Sequence, residues 1–262
     1  MINYSKTIKL PKEAQQGCKI VLEELGNVVV GMYLYGSAIT GGLRIHSDID
    51  VLVIVKQNLT DAIRKKLIRR IMKVSGKVGN TSGIHPLEIT IINLKDVVPW
   101  RYPPKIEFQY GEWRRDEFEQ GEVPKQTYDP DLTIILSEVR QNSISLIGPK
   151  PSEILDLVPF MDIKRAISDS LSNLINNRKG DERNVLLTLS RMWLTVSINE
   201  VAAKDVAAEW AIERLPKELT SLLDYARNAY VGECDDNWEG RDTEVTALVN
   251  YIRQQIEKCL DS

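Results

Sequence analysis

Apolar residues recur with a period near two and then near three to four along the first half of the chain, and almost only with the helical period along the second. Pro11 can occupy the first turn of a helix running to about Leu25, with Gly26 as its stop. Residues 28–35 form a β-rich run closed by Gly36-Ser37, and residues 49–55 form another. Thr60-Asp61 starts a helix on which Ile63, Leu67, Ile68, Ile71 and Met72 share one face, ending near Gly76. Residues 86–94 alternate only in part, as a strand covered by helices on one face does. From Asp131 onward β-rich runs nearly vanish, and the spacing predicts helices over 132–141, 162–176, 182–200, 204–214, 219–230 and 243–260. Leu186, Leu189, Trp193 and Val196 read as a core stripe. The breaker-rich Gly148-Pro149-Lys150-Pro151-Ser152 is the expected linker, dividing an α/β domain (α+β in arrangement) over 1–150 from a helical domain over 151–262.

Composition narrows the class. With 262 residues, 43% hydrophobic and 27% charged, the chain can bury a sizeable core and is neither disordered nor collagenous. Thirty-four Lys and Arg against 37 Asp and Glu leave a net charge of -3, which gives no overall drive toward nucleic acid or a membrane surface and suits a cationic small molecule better. Cys18, Cys234 and Cys259 form no CxxC pair, so neither a zinc site nor a disulfide framework is expected. The first residues lack the apolar core of a signal peptide, and no stretch approaches the ~20 apolar residues of a membrane span. A cytoplasmic protein is therefore expected, monomeric by default.

The chemistry concentrates in residues 34–50. Asp48 and Asp50 are two apart at the start of a strand, so their carboxylates share one face and repel each other. A divalent cation resolves that repulsion, and Mg²⁺ accepts one or two protein carboxylates while keeping places for phosphates and water. Gly36-Ser37 supplies the complement: a backbone that can approach a phosphate, and a hydroxyl that can donate to it. Ser47 can act likewise. Either fragment alone reads as an ordinary turn or an exposed strand start. Together, strand, Gly-Ser, spacer, Asp-x-Asp and apolar strand resemble the polymerase-β-like nucleotidyltransferase superfamily. Those enzymes need a third carboxylate on a neighbouring strand, and Glu88, a charge inside an apolar run, is suited either to complete the metal shell or to act as general base.

Further blocks narrow the resemblance: Tyr35-Gly36-Ser37-Ala38, Ser47-Asp48-Ile49-Asp50, Trp100-Arg101-Tyr102-Pro103, Gly111-Glu112-Trp113, Gly180-Asp181-Glu182-Arg183-Asn184-Val185, Leu187-Thr188-Leu189-Ser190-Arg191 and residues 204–211. In order and over nearly the whole chain, they resemble the aminoglycoside 3''- and 9-adenylyltransferases. That resemblance implies an N-terminal nucleotidyltransferase domain with a mixed sheet and a C-terminal helical bundle that closes a cleft around ATP and drug. The implied reaction moves AMP from ATP to a hydroxyl of spectinomycin, streptomycin or both, and releases pyrophosphate. It also implies that Asp48 and Asp50, with Glu88, bind Mg²⁺ and that Glu88 is the catalytic base. ATP would be met by Gly36, Ser37, Ser47, Asp131, Lys204 and Tyr230, and the drug by Trp113, Asp181 and Asn184.

Each later residue has a local alternative. Lys204 opens a helix and can be solvated there, whereas near a triphosphate it would offset charge on the leaving group. Asp131 and Asp181 precede or open helices and can be caps. Trp113, with Trp100, Tyr102 and Tyr110 nearby, can be core, or an aromatic wall that with Glu112 and Asp181 suits a cationic drug. Tyr230 can be packing. His46 and His85 read as loop residues, and Arg64-Lys65-Lys66 with Arg69-Arg70 as the solvated face of a helix rather than an RNA-binding tract. A nucleotidyltransferase acting on protein or RNA is the rival enzyme class. A noncatalytic binding module is disfavoured, because it would have no need of mutually repelling carboxylates.

One departure bears on substrate choice. Dual-specificity members of the family carry Asp-Trp-Ala before Gly-Asp-Glu-Arg-Asn, where this chain has Asn177-Arg178-Lys179. A carboxylate grips the guanidinium groups of streptomycin, and a neutral amide beside two cations does not. Selectivity for spectinomycin follows, and comparable efficiency of the purified protein on streptomycin in a competition assay would refute it.

Overall fold

The computed structural model describes residues 10–40, 42–44, 47–80 and 82–261; the first nine residues and His46, both considered above, lie outside them. The chain divides into two compact units, Met1–Val158 and Pro159–Ser262.

The first unit runs α1 (Lys12–Leu25), β1 (Val29–Tyr35), α2 (Ser37–Thr40), β2 (Ile49–Val55), α3 (Asp61–Ile71) and β3 (Leu87–Asn93). It continues α4 (Leu94–Val97), β4 (Lys105–Ile106), β5 (Phe108–Tyr110), α5 (Arg115–Glu119), β6 (Thr127–Tyr128), α6 (Asp131–Gln141), β7 (Ile144–Ile147) and α7 (Pro151–Ile154). Five strands form a mixed sheet in the order β5-β3-β2-β1-β7, and β4 pairs with β6 in a small ribbon. Among the described residues only β2 and β3 pair in parallel; the crossover through α3 makes that possible. Val51, Val53, Val55, Ile89 and Ile91 point into one cluster with Ala14, Val21, Leu67 and Ile71 of α1 and α3. Burial from both sides explains why these strands read as nearly unbroken apolar runs.

The start of α3 follows its sequence signal, since Thr60 Oγ1 accepts from Ile63 N at 3.3 Å. Its end does not. The helix stops at Ile71, and the chain turns so that Ser75 Oγ accepts from Leu87 N at 2.9 Å and Gly76 N donates to His85 O at 3.0 Å. The solvated-face expectation fails at Arg64, which is 4% exposed. Its Nη2 meets Glu107 Oε1 at 2.5 Å, its Nη1 donates to the carbonyls of Glu107 (2.7 Å) and Pro124 (2.9 Å), and Leu59 N reaches Glu107 Oε1 at 2.7 Å. Gln126 Nε2 donates to the other carboxylate oxygen. A helical charge run thus hides one member that turns inward toward a buried acid.

Two further differences concern the middle of the chain. Ile144–Ile147 is an edge strand paired antiparallel with β1, although it follows a helix and is only four residues long. The division falls after Val158 rather than within Gly148–Ser152, because Tyr33 Oη donates to Pro149 O at 2.9 Å and Arg140 Nε to Leu155 O at 3.1 Å, tying this segment to the first unit.

The second unit consists of α8 (Phe160–Asn176), α9 (Glu182–Ile198), α10 (Lys204–Ile212), α11 (Lys217–Val231) and α12 (Asp242–Leu260). The stripe Leu186, Leu189, Trp193 and Val196 of α9 is buried as expected. Trp193 meets Trp210 and Tyr251 edge-on, with ring centroids 5.2 and 6.4 Å apart. Asn199, with φ 59°, ends α9 in the left-handed conformation. All three cysteines are free thiols. Among the described residues no helix is long and apolar enough to cross a membrane.

Removing one member of the Arg64–Glu107 pair strands a buried charge, so Arg64→Ala is expected to cost about 3–5 kcal/mol in urea unfolding. The paired change Arg64→Met with Glu107→Leu should cost less than either single truncation.

Candidate active site

Gly36 follows β1 with φ +69°, and a Cβ built there would lie 2.1 Å from Asp50 Oδ2. Glycine is needed twice over, for the left-handed torsion and for the carboxylate lying against its backbone. Asp50 pairs with Tyr35 across the antiparallel ladder and with Glu88 in the parallel one, so the two acids stand side by side on one face of the sheet. Asp48, two residues earlier, precedes the strand.

The segment before Asp50 is held by its backbone. Ser47, 4% exposed, donates its N–H to Arg44 O at 2.9 Å and accepts from Arg44 N at 3.0 Å through Oγ, which leaves its own hydroxyl proton for another acceptor. Ser47 O accepts from His85 Nδ1 at 2.9 Å. A carbonyl can only accept, so that bond requires the proton on Nδ1. His85 is a loop residue as expected, and it braces the acidic strand start. Ser37 Oγ makes a long 3.5 Å contact with Asp48 O.

Glu88 is half-buried rather than sealed in the core, and Gln109 Nε2 donates to its Oε1 at 3.0 Å. Tyr35 is buried among acids: burial first, then the carboxylates of Glu88, Asp50 and Glu138, push its hydroxyl well above the ordinary tyrosine range. Among the described residues no group of three or more acidic, His or Cys side chains gathers as a metal-holding cluster. The donors that are present, Asp48 and Asp50, are hard oxygens, and a cation held by two carboxylates that completes its shell with phosphate and water oxygens is Mg²⁺-like.

Trp113 sits on a short 3₁₀ turn, Glu112–Arg114, and is 54% exposed. A Cβ on Gly111 would lie 2.2 Å from its Cη2, and since φ there is an extended -149°, it is the ring and not the torsion that demands glycine. Glu112 does not join an aromatic wall. It is buried, accepts from Tyr110 Oη, and takes Arg115 Nε at 2.6 Å and Nη2 at 2.9 Å. Tyr110 is likewise committed to the interior, stacked on Phe118 at 5.2 Å. Of the residues proposed to face the drug from this segment, Trp113 is the exposed one.

In the second unit, Asp181 stands at the N-terminal boundary of α9 without a side-chain capping bond. Its Oδ2 instead accepts from Asn184 Nδ2 at 3.0 Å, and Asn184 Oδ1 accepts from Lys204 Nζ. Lys204, expected at ATP, and Asp181 and Asn184, expected at the drug, are therefore one polar chain. Tyr230 is buried near the end of α11. Asp131 is the first residue of α6, and the acid that caps its backbone N–H is Asp129, at 2.9 Å. The Asp129 carboxyl is raised, chiefly by burial. Asn177 ends α8 and donates to Asn173 O and Oδ1, both at 3.0 Å.

Sequence reasoning gave no role to Gln109, Tyr35 or Glu138. Gln109 did leave a signal, as the single polar residue between Phe108 and Tyr110.

Residues 16–179 match the nucleotidyltransferase domain, and residues 153–255 match the aminoglycoside adenylyltransferase C-terminal domain. A spectinomycin 9-adenylyltransferase of Staphylococcus aureus is 58% identical over 253 residues, covering 97% of either chain. One from Campylobacter jejuni is 48% identical over 96% of this chain and 97% of its own. An aminoglycoside (3'') (9) adenylyltransferase of Escherichia coli is 39% identical over 91% and 92%. The crystal structure of a spectinomycin adenyltransferase from Enterococcus faecialis with ATP and spectinomycin superimposes with a TM-score of 0.90 at 36% identity, covering 94% of this chain and 98% of that one.

Gly36→Ala tests the carboxylate cradle. Left-handed strain of roughly 1–2 kcal/mol should lower Tm by only a few degrees. A displaced Asp50 should lower steady-state turnover by about 100-fold.

Proposed function

The chain belongs to the aminoglycoside adenylyltransferases, and from that premise we propose that it transfers AMP from ATP to the 9-hydroxyl of spectinomycin, releasing pyrophosphate and conferring resistance. The observation that carries the reading is the in-register pair Asp50 and Glu88 beside the Gly36 turn. It supports a reading in which a phosphate-approach backbone, a cation-binding acid and a proton acceptor lie on neighbouring strands.

In the proposed reaction the drug oxygen attacks the α-phosphorus as the bond to the β-phosphate oxygen breaks. Glu88 takes the hydroxyl proton, and pyrophosphate carries away the leaving electrons. Asp48 and Asp50 would hold Mg²⁺, which offsets charge on the phosphates. Ser37 and Ser47 would donate to phosphate oxygens, and Gly36 would let the backbone approach. Asp131, Lys204 and Tyr230 would contribute to ATP binding, Lys204 by offsetting charge on the departing pyrophosphate. Trp113, Asp181 and Asn184 would line the drug, the exposed indole offering its face to a cation.

Selectivity for spectinomycin over streptomycin is supported by Asn177. Its amide is turned to Asn173 of its own helix, and no carboxylate stands at this position to grip a guanidinium. We place the reaction in the cytoplasm, where ATP is at hand and Cys18, Cys234 and Cys259 stay reduced.

Pyrophosphate release from Mg-ATP by the purified protein is expected with spectinomycin, at most weakly with streptomycin, and not without drug. Silence with both drugs would overturn the function. Glu88→Gln should bind ATP in calorimetry as wild type does, while turnover falls by roughly 10²–10⁴. A near-wild-type rate would remove Glu88 from the role of base.

A further inference from the structure

We propose that Gln109 is a positioning residue for Glu88, holding the carboxylate of the proposed base in one orientation through its side-chain amide; the inference rests on the function proposed above. Nothing in the family motifs read from the sequence includes Gln109. The placement follows from the pleat. β3 and β5 are antiparallel with Thr90 opposite Gln109, and Glu88 lies two residues from Thr90, so Glu88 and Gln109 are diagonal neighbours on one face. The 3.0 Å bond from Gln109 Nε2 to Glu88 Oε1 is that diagonal contact.

Two features fit the bond for positioning rather than for incidental surface pairing. First, the short strand that carries Gln109 is pinned at both ends. Phe108 and Tyr110 are wholly buried on the opposite face, Glu107 immediately before them is locked to Arg64, and Glu112, one residue beyond Gly111, is locked to Tyr110 and Arg115. An edge strand of three residues would otherwise be free to shift, whereas this one delivers its amide to a fixed place. Second, the donor is neutral. An amide removes torsional freedom from a carboxylate without bringing a positive charge that would compete with a cation for the neighbouring acids.

The test is Gln109→Met, which keeps shape and removes the donor, with Gln109→Thr as a second variant suited to a strand should the first fold poorly. Outer-sphere partners of this kind are worth about 10–100-fold, so kcat should fall by at least about 10-fold while KM for ATP and for spectinomycin stay within about 3-fold. In a Glu88→Gln background the same substitution should change the residual AMP transfer, read with radiolabelled ATP, by less than about 2-fold, because the group it positions is already gone. A purely structural role would instead lower both backgrounds by the same factor. Equal losses in the two backgrounds, or a kcat within about 3-fold of wild type, overturn the proposal. The premise fails separately and visibly: wild type silent with spectinomycin removes the reaction, and a Glu88→Gln protein at full rate removes the base, each taking this inference with it.

Discussion

Everything at the site depends on the parallel register of β2 against β3. Asp50 and Glu88 face the same way only because Ile49 is opposite Leu87 and Val51 opposite Ile89. A slip of one residue would turn one acid into the apolar cluster and bring an isoleucine or valine out. Like charges set side by side on a sheet oppose that register. What offsets them is the alternation on the other face, where Val51, Val53, Val55, Ile89 and Ile91 are essentially inaccessible beneath α1 and α3. Each such side chain contributes about 1.5–3 kcal/mol by burial. The acids are thus held by the residues between them.

Around that ladder, buried charge fixes what short elements cannot fix by themselves. β5 has three residues and β4 two, too few to set their own register. Arg64 with Glu107 joins the helix α3 to the start of β5 and, through Pro124 and Gln126, to the loop beyond it. Arg115 with Glu112 and Tyr110 does the same for the turn bearing Trp113. The second unit carries its own polar chain, Lys204 to Asn184 to Asp181, on the starts of α10 and α9.

What could be read in the sequence was what the chain writes locally. Gly36-Ser37 and Asp48-x-Asp50 lie within one short stretch, and the shared face of the two carboxylates was read from strand spacing. The helices of the second unit announced themselves by period, to within a few residues of their ends. Arg64 could not be read, since a cation in a run of cations looks solvated until its distant partner Glu107 is known. Glu112 was left open for the same reason: an acid next to a tryptophan can face a ligand or the core, and only the fold shows Tyr110 and Arg115 claiming it. β7 escaped because four residues after a helix carry too little pattern, and its identity comes from the open edge of β1. Gln109 acquires meaning only when β5 is laid against β3.

The order β5-β3-β2-β1-β7 places the strands that bear Asp50 and Glu88 in the interior, each with a neighbour on both sides. Interior strands open with the whole domain, not by fraying. Asp50 and Glu88 therefore have no private route to disorder: on heating, activity should persist until the sheet itself melts, so that inactivation and unfolding are a single event in this unit.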